Sequence, residues 1–177
     1  MTPDACRLMA SYNRWMNARL YDASATLPET ELHADRGAFF GSLFGTLNHV
    51  VVADVLWLGR FARHPDLDWL AARMHVFPRP ATLDQPMATT LSDLRRIRDA
   101  IDEVIVAFAD RVSEPVLAST LHYANTAGAM QARNMRALAQ HFFNHQTHHR
   151  GQATTLLAQA GVDVGVTDLL ALIPQDA

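Results

Sequence analysis

A dense run of histidines lies near the end of the chain, in the stretch His141-Phe142-Phe143-Asn144-His145-Gln146-Thr147-His148-His149-Arg150-Gly151-Gln152. Four of the nine histidines of the protein lie between residues 141 and 149. We predict that this stretch belongs to a long last helix, from about Ala132 to Ala160. Along the apolar stripe of that helix, the positions that follow Phe142 are His145 and His149. The helix therefore meets the core with two imidazoles where leucines would be expected.

Two histidines four residues apart can bind one metal ion from a single helix face. Their Cβ atoms lie about 6 Å apart, which is close enough for both rings to reach the same cation. His145 and His149 have this spacing, and so do His141 and His145, which leaves a second possible pair. We prefer His145 and His149 because both fall on the apolar stripe. His148 is rotated by about 100° from His149, and we expect it to face another helix or solvent.

A third candidate ligand, His49, stands in the most hydrophobic segment of the chain. The predicted second helix, Gly37 to Ala62, is apolar around most of its girth and should lie deep in the fold. Since the last helix already offers a buried histidine pair, His49 is best interpreted as its third partner. Asp54 could orient a ligand imidazole or pair with an arginine, and we favour the pairing. The apolar residues of this helix are Phe39, Phe40, Leu43, Phe44, Leu47, Val50, Val51, Val55 and Leu58.

Three neutral imidazoles from two buried helices suit Zn²⁺, Ni²⁺ or Fe²⁺. A site with three protein ligands keeps one position for water or substrate, which is typical of catalytic rather than structural sites. The residue after His145 is Gln146, whereas a metalloprotease motif of the HExxH type has the general base Glu at that place. The sequence therefore predicts an open metal site but not a protease of that class.

The rest of the chain predicts a four-helix bundle with long connections. The first helix begins at Thr2-Pro3-Asp4 and ends near Leu27-Pro28. The third follows a cap at Thr90 to Asp93 and runs to Arg111, after a proline-containing connection from His64 to Met87 with a short helical turn near Asp68. Residues 116–133 predict a short β-hairpin or an irregular loop around Asn125 to Gly128. The apolar tail from Val162 to Ala177 is expected to fold back on the bundle.

The third helix has a core stripe and a charged face. We assign its charged residues to solvent, with pairs four residues apart that stabilise the helix surface. This run is therefore interpreted as a solvated face and not as a binding patch. Its members are Arg95, Arg96, Arg98, Asp99, Asp102 and Glu103.

Length and composition limit the classes of function. The 177 residues, which we assign to a single domain over 1–177, carry 18 acidic groups and 15 arginines but no lysine, for a net charge of −3. This balance argues against sequence-independent nucleic-acid binding, which needs a basic face. A single cysteine, Cys6, excludes an intramolecular disulfide and is expected to be a buried hydrophobe. No segment suits a signal peptide or a membrane span, so we expect a cytoplasmic protein.

Five stretches of the chain form a recognisable set of motifs: Tyr12-Asn13-Arg14-Trp15, Phe39-Phe40-Gly41-Ser42, Thr46-Leu47-Asn48-His49, Tyr123-Ala124-Asn125 and residues 145–152. Together they resemble the motifs of the DinB family of bacterial damage-inducible proteins. The resemblance covers nearly the whole chain and implies an up-down-down-up four-helix bundle, often dimeric. It also implies a divalent metal on three histidines, which here correspond to His49, His145 and His149.

Three functions follow from the residues and the resemblance, and we rank them in order. The first is a metal-dependent enzyme acting on a small molecule, either a hydrolase or an S-transferase that uses a low-molecular-weight thiol, as related subfamilies do. The second is a non-catalytic metal-binding protein of the stress response. The third, a DNA-associated module, is disfavoured by the charge. A homodimer is expected from the resemblance. Arg150 and Gln152 are candidates either for contact with substrate or a partner chain or for a role at the protein surface.

Overall fold

The computed structural model describes residues 1–175 and is predominantly helical. Four long helices, α1, α3, α5 and α7, form a bundle, and shorter elements lie in the connections. Among the described residues, no helix combines the length and the hydropathy needed to cross a bilayer. The elements are α1 (Pro3–Ser24), α2 (Glu29–His33), α3 (Leu43–Phe61), α4 (Asp68–Met74), α5 (Leu91–Arg111), α6 (Glu114–Ala118), β1 (Thr120–Ala124), β2 (Met130–Asn134) and α7 (Met135–Gln159), with 3₁₀ turns at Pro65–Leu67 and Leu169–Leu172.

Side-chain contacts at two levels of each helix pair fix the directions of the four long helices. Helix α1 is antiparallel to α5 and parallel to α7, while α3 is parallel to α5 and antiparallel to α7. The predicted four-helix bundle is thus confirmed, with the up-down-down-up order. Asn13–Asp102 and Asp22–Arg95 join α1 and α5, and Met1–Arg136 and Asn13–Arg150 join the α1 region and α7. Asp54–Arg98 and Phe61–Phe108 join α3 and α5, and His49–His149 and Trp57–His141 join α3 and α7.

Helix α3 begins later than the sequence predicted. The segment 37–42 is a loop in which Gly37 and Gly41 have φ angles of 70° and 73°, a region that favours glycine. Ser42 then caps the helix, because its hydroxyl accepts a hydrogen bond from the backbone N–H of Gly45 at 3.0 Å. The prediction that Phe39 and Phe40 lie on the helical stripe was wrong: both precede the helix, and Phe39 is 85% exposed.

Gly45 allows the loop 37–42 to pack tightly against the first turn of α3. A Cβ atom added at this position would lie 2.2 Å from the carbonyl oxygen of Phe40, a distance that no real Cβ contact shows. Any side chain here would therefore push Phe40 away from the helix. This close approach matters because Phe40 belongs to the candidate site described below.

A β-hairpin precedes the last helix, as the sequence predicted. Strands β1 and β2 pair antiparallel, with Tyr123 opposite Gln131 and Thr120 opposite Asn134. The last helix begins at Met135 rather than at Ala132, because Ala132 belongs to β2. Asn134 ends the strand and caps the helix, its side-chain oxygen accepting a hydrogen bond from the N–H of Ala137 at 3.2 Å.

A buried ion-pair network crosses the centre of the bundle, and it corrects the prediction for the third helix. Arg98 and Asp102 were assigned to the solvated face, but only 1% and 2% of their surfaces are exposed. The Arg98 guanidinium donates to Asp54 at 2.6 Å and lies 2.9 Å from Asp102. The predicted pairing of Asp54 with an arginine is confirmed. Asn13 and Asn17 on α1 each donate to the Asp102 carboxylate at 3.0 Å.

Helix α7 joins the same network through two buried side chains. The Gln146 side-chain amide donates a hydrogen bond at 2.9 Å to the Asp54 carboxylate, which also pairs with Arg98. The Arg150 guanidinium donates to the side-chain oxygen of Asn13 and lies 5.1 Å from the centre of the Tyr12 ring. Arg150 is therefore a core residue, and neither of the two alternatives considered for it, contact with substrate or a partner chain and a role at the surface, places it there. Burial lowers its pKa to about 10.

Two segments outside the long helices were predicted in part. The tail folds back on α1 as expected, since Tyr12 donates to the carbonyl of Thr167 at 2.6 Å and Arg19 donates to that of Val164 at 2.8 Å. The end of the predicted tail, Asp176 and Ala177, lies outside the described residues. At the start of the connection between α3 and α5, His64 is buried and forms a hydrogen bond with the Ser119 hydroxyl at 2.9 Å.

Replacing Arg98 by Met should destabilise the protein strongly. The change leaves two carboxylates in the core without their shared cation, and breaking a buried pair in this way costs about 3–5 kcal/mol of unfolding free energy. Urea denaturation followed by circular dichroism measures the difference. The matched control is Arg95→Met, which removes a surface ion pair with Asp22 and should cost about 0–1 kcal/mol. Equal effects of the two variants would contradict a structural role for the network.

Candidate metal centre

The structure brings together the three histidines that the sequence analysis selected. The Nε2 atom of His145 lies 3.4 Å from that of His49 and 3.1 Å from that of His149. The ligand atoms of all three lie within 4.8 Å of one another. His49 and His149 are buried, and His145 is half-buried. Helices α3 and α7 therefore place three imidazole nitrogens around one point.

The spacing of these nitrogens fits a bound divalent ion. Neutral Nε2 atoms with their lone pairs turned inward repel one another unless a proton or a cation lies between them. Zinc binds histidine nitrogen at about 2.0–2.1 Å in tetrahedral geometry, which requires the nitrogens to be about 3.3 Å apart. Two of the three separations, 3.1 Å and 3.4 Å, lie on either side of this value, and the separation between His49 and His149 is no more than 4.8 Å. The three rings are therefore close enough together to hold a metal ion.

Two hydrogen bonds orient the rings from outside the cluster. The Nδ1–H of His49 donates to the carbonyl oxygen of Leu83 at 2.8 Å, and that of His149 donates to Gln152 Oε1 at 2.7 Å. Each bond places the proton on Nδ1 and leaves the Nε2 lone pair free to coordinate. Beside His49, Asn48 donates to the carbonyl of Gln85 at 2.9 Å and holds the same connection in place.

Phe40 closes one side of the cluster. Its ring stacks on His49, with centroids 3.8 Å apart and planes 17° from parallel, and it meets His149 edge-on at 5.7 Å. The loop that precedes α3 thus covers the imidazoles with an aromatic face. This contact explains why the close approach at Gly45 is important for the site.

The histidines of the cluster resist protonation. Burial, together with the neighbouring His149 and His49 rings, lowers the pKa of His145 to about 3. Burial also lowers the pKa values of His49 and His149 from 6.5. All three rings are therefore neutral at pH 7, which is the form that binds metal.

The cluster opens onto a cavity of about 540 Å³ between α3, α7 and the hairpin. His141 and His148 line this cavity but do not belong to the three-histidine group. His141 packs edge-on against Trp57 with centroids 5.0 Å apart, so the alternative pair His141–His145 is not the one that His49 completes. His148 is exposed, in line with the expectation that it faces solvent or another helix.

Sequence reasoning missed the residues that support the ligands. Gln152 was considered as a contact for substrate or a partner chain, or as a surface residue, although its position three residues after His149 predicts a contact on the same helix face. Phe40 was placed in a helix, so its role above His49 was not visible. The Leu83 carbonyl carries no sequence signal, because a backbone acceptor in a loop leaves no residue pattern.

The fold and the histidine cluster define a four-helix-bundle protein with a candidate three-histidine metal centre. The family model described as "DinB family" matches residues 1–176, and the chain therefore belongs to the DinB family. It is similar to Protein DinB of Bacillus subtilis (strain 168), with 26% identity over 157 residues, which cover 89% of this chain and 87% of that protein. No solved structure matches the chain.

Replacing Gln152 by Leu should weaken metal binding without removing a ligand. The His149 ring loses the acceptor that fixes its orientation, and loss of such a partner typically costs 10–100-fold in metal affinity, about 30-fold at the centre of that range. Competition with a chelating dye measures the affinity for Zn²⁺. The control is Gln159→Leu, an exposed position on the same helix that should bind zinc as the parent does. Equal affinities would show that Gln152 does not orient His149.

The metal-free protein should lose stability as the pH falls below about 6.5. The three cluster histidines have lowered pKa values when folded, whereas the unfolded chain takes up protons near 6.5. Stability therefore rises with pH across this interval. The denaturation midpoint is measured at several pH values between about 4 and 7. It should change less steeply with pH in His145→Ala than in the control His122→Ala, which removes an exposed histidine of β1. Identical slopes would contradict the shifted titration.

Proposed function

We propose that this protein is a metal-dependent enzyme in which His49, His145 and His149 bind one divalent ion, with zinc, nickel or iron as candidates. The observation that supports this best is the convergence of three Nε2 atoms beside an open cavity. Three protein ligands leave room for a further ligand from that cavity. A non-catalytic metal-binding protein of the stress response is the alternative, and the open cavity disfavours it because a structural site is closed by protein ligands.

Among the possible reactions, we favour transfer involving a low-molecular-weight thiol over hydrolysis. A divalent ion at this site would supply Lewis acidity that lowers the pKa of a coordinating thiol or water. The described residues that line the cavity include no carboxylate, so His141 and His148 are the groups there that could act as the general base of a hydrolase. A thiol depends less on such a base, because its free pKa of about 8.5 is far below the value of about 15.7 for water.

The protein itself does not offer a reactive thiol for this chemistry. Its single cysteine, Cys6, is buried in α1, and burial raises the pKa of the thiol to about 11. At neutral pH this group is protonated and a poor nucleophile. The sulfur in the proposed reaction therefore comes from a small molecule, which forms a bond to an electrophilic carbon as the leaving group departs.

Elemental analysis and activity together test the proposal. The purified protein should carry about one metal ion per chain, and His49→Ala, His145→Ala or His149→Ala should lose it, because two imidazoles bind much more weakly than three. His122→Ala is the control and should keep the metal. The loaded protein should then transfer several small thiols to a haloarene acceptor, with loss of activity in the same three variants.

The outcomes separate the parts of the proposal. A protein without bound metal, or a His145→Ala variant with full metal content, would overturn the metal site itself. Bound metal with no turnover of any thiol would overturn the transferase and leave the metal site. The expected homodimer and the cytoplasmic location stay predictions, and sedimentation of the purified protein tests the first of them.

A further inference from the structure

A second cavity, rich in arginine, adjoins the cavity of the metal centre. It has a volume of about 480 Å³ and lies between α3, α4 and the turn of the hairpin. Leu56, Arg60, Asn125 and Thr126 line both cavities, so the two adjoin along these side chains. The second cavity therefore forms an adjoining extension of the metal-centre cavity, next to the space that a molecule bound at the histidines would occupy.

The charge of this extension differs from that of the protein as a whole. Arg60, Arg63 and Arg79 line it together with His75, whereas none of its described lining residues is acidic. The complete chain, by contrast, has a net charge of −3. Three guanidinium groups in one cavity create a local positive potential in a protein that is otherwise slightly acidic.

Arg60 is the central group because it has no acidic partner. Its guanidinium lies 4.5 Å from the centre of the Trp57 ring and 5.3 Å from that of Tyr123. Among the described residues, its side chain forms neither an ion pair nor a hydrogen bond. Burial lowers the pKa of Arg60, yet a guanidinium stays protonated at neutral pH. A half-buried cation held between two aromatic rings thus keeps its donors free.

One face of α3 connects this cation to the metal centre. His49, Ala53, Trp57 and Arg60 follow one another at helical spacing and all line the first cavity. Arg60 lies eleven positions after His49, which corresponds to about 16 Å along the helix axis. The small side chain of Ala53 leaves space along the helix surface between His49 and Arg60.

We infer that the arginine cavity is a subsite for the anionic end of an elongated small molecule whose reacting end lies at the three histidines. Carboxylate and phosphate groups both match the planar donor set of a guanidinium, which binds either one in bidentate fashion. This inference deepens the proposed function by naming the class of substrate or thiol: a molecule with at least two negative charges at the end remote from the reacting atom.

Binding of small anions, without any turnover, tests the subsite. The probes are isophthalate and phenyl phosphate, with isophthalamide as the uncharged control, and isothermal titration measures their dissociation constants. The protein with zinc should bind both anions and not the amide. Arg60→Met should weaken anion binding by about 10–100-fold, the range for loss of a hydrogen bond to a charged group. Arg133→Met, an exposed arginine of β2 outside both cavities, should bind as the parent does.

Two further variants make the result independent of folding and of the metal. The double variant Arg63→Met, Arg79→Met removes exposed charges and should also weaken binding, even if Arg60→Met does not fold. His145→Ala should keep anion binding. Loss of anion binding in His145→Ala, with full binding in both arginine variants, would show that the anions coordinate zinc. This result would overturn the subsite but leave the metal centre intact.

The two proposals fail in different ways. A protein that carries no metal but binds the anions through Arg60 would retain the subsite and lose the proposed reaction. Equal binding by the parent, Arg60→Met and the double variant would assign Arg60 to packing against Trp57 and Tyr123 alone. Binding of isophthalamide as tight as that of isophthalate would likewise overturn the role of charge.

Discussion

The fold depends on the neutralisation of one guanidinium group in an apolar core. Arg98 is almost completely buried, and burial alone would lower its pKa, but the carboxylates of Asp102 and Asp54 raise it. An unpaired charge in this position would cost several kcal/mol, so the native packing must bring both carboxylates to it. One of them is on α3 and the other, on α5 itself, is held by two asparagines of α1. The network therefore specifies how three helices pack, and Gln146 extends it to the fourth.

This constraint also positions the candidate metal centre. Gln146 donates to Asp54, which fixes the rotation of α7 against α3. His145 and His149 come one residue before and three residues after Gln146, so both are rotated to the same side of it. That side faces His49, which lies five residues before Asp54 on the other helix. The same pair of helices thus carries a charged contact in the core and an uncharged imidazole cluster beside the cavity.

The sequence contained the main features of the site, because helical spacing alone places His145 and His149 on one face. The sequence was less informative for charged residues at helix positions that face the core, because the charge suggests solvent and the position suggests burial. Arg98 occupies the stripe of Leu94 and Ile101, four residues after the first and three before the second, yet its charge assigned it to solvent. Periodicity would have identified it as a core residue. Arg150 gave the same conflict, and only the contact with Asn13, 137 positions away in sequence, resolves it. Supports from backbone atoms, such as the Leu83 carbonyl, lie outside what residue types can predict.

The bond between Leu83 and His49 has a consequence for the surface of the protein. The connection between α4 and α5 is tied to the cluster by that carbonyl. At the preceding residue of α3, Asn48 adds two hydrogen bonds, to Gln85 and Met87. Thermodynamic reciprocity then applies: an ion that favours this orientation of His49 favours the ordered connection by the same free energy. Binding of a metal ion at the proposed centre would therefore also stabilise the connection between α4 and α5, part of which is exposed.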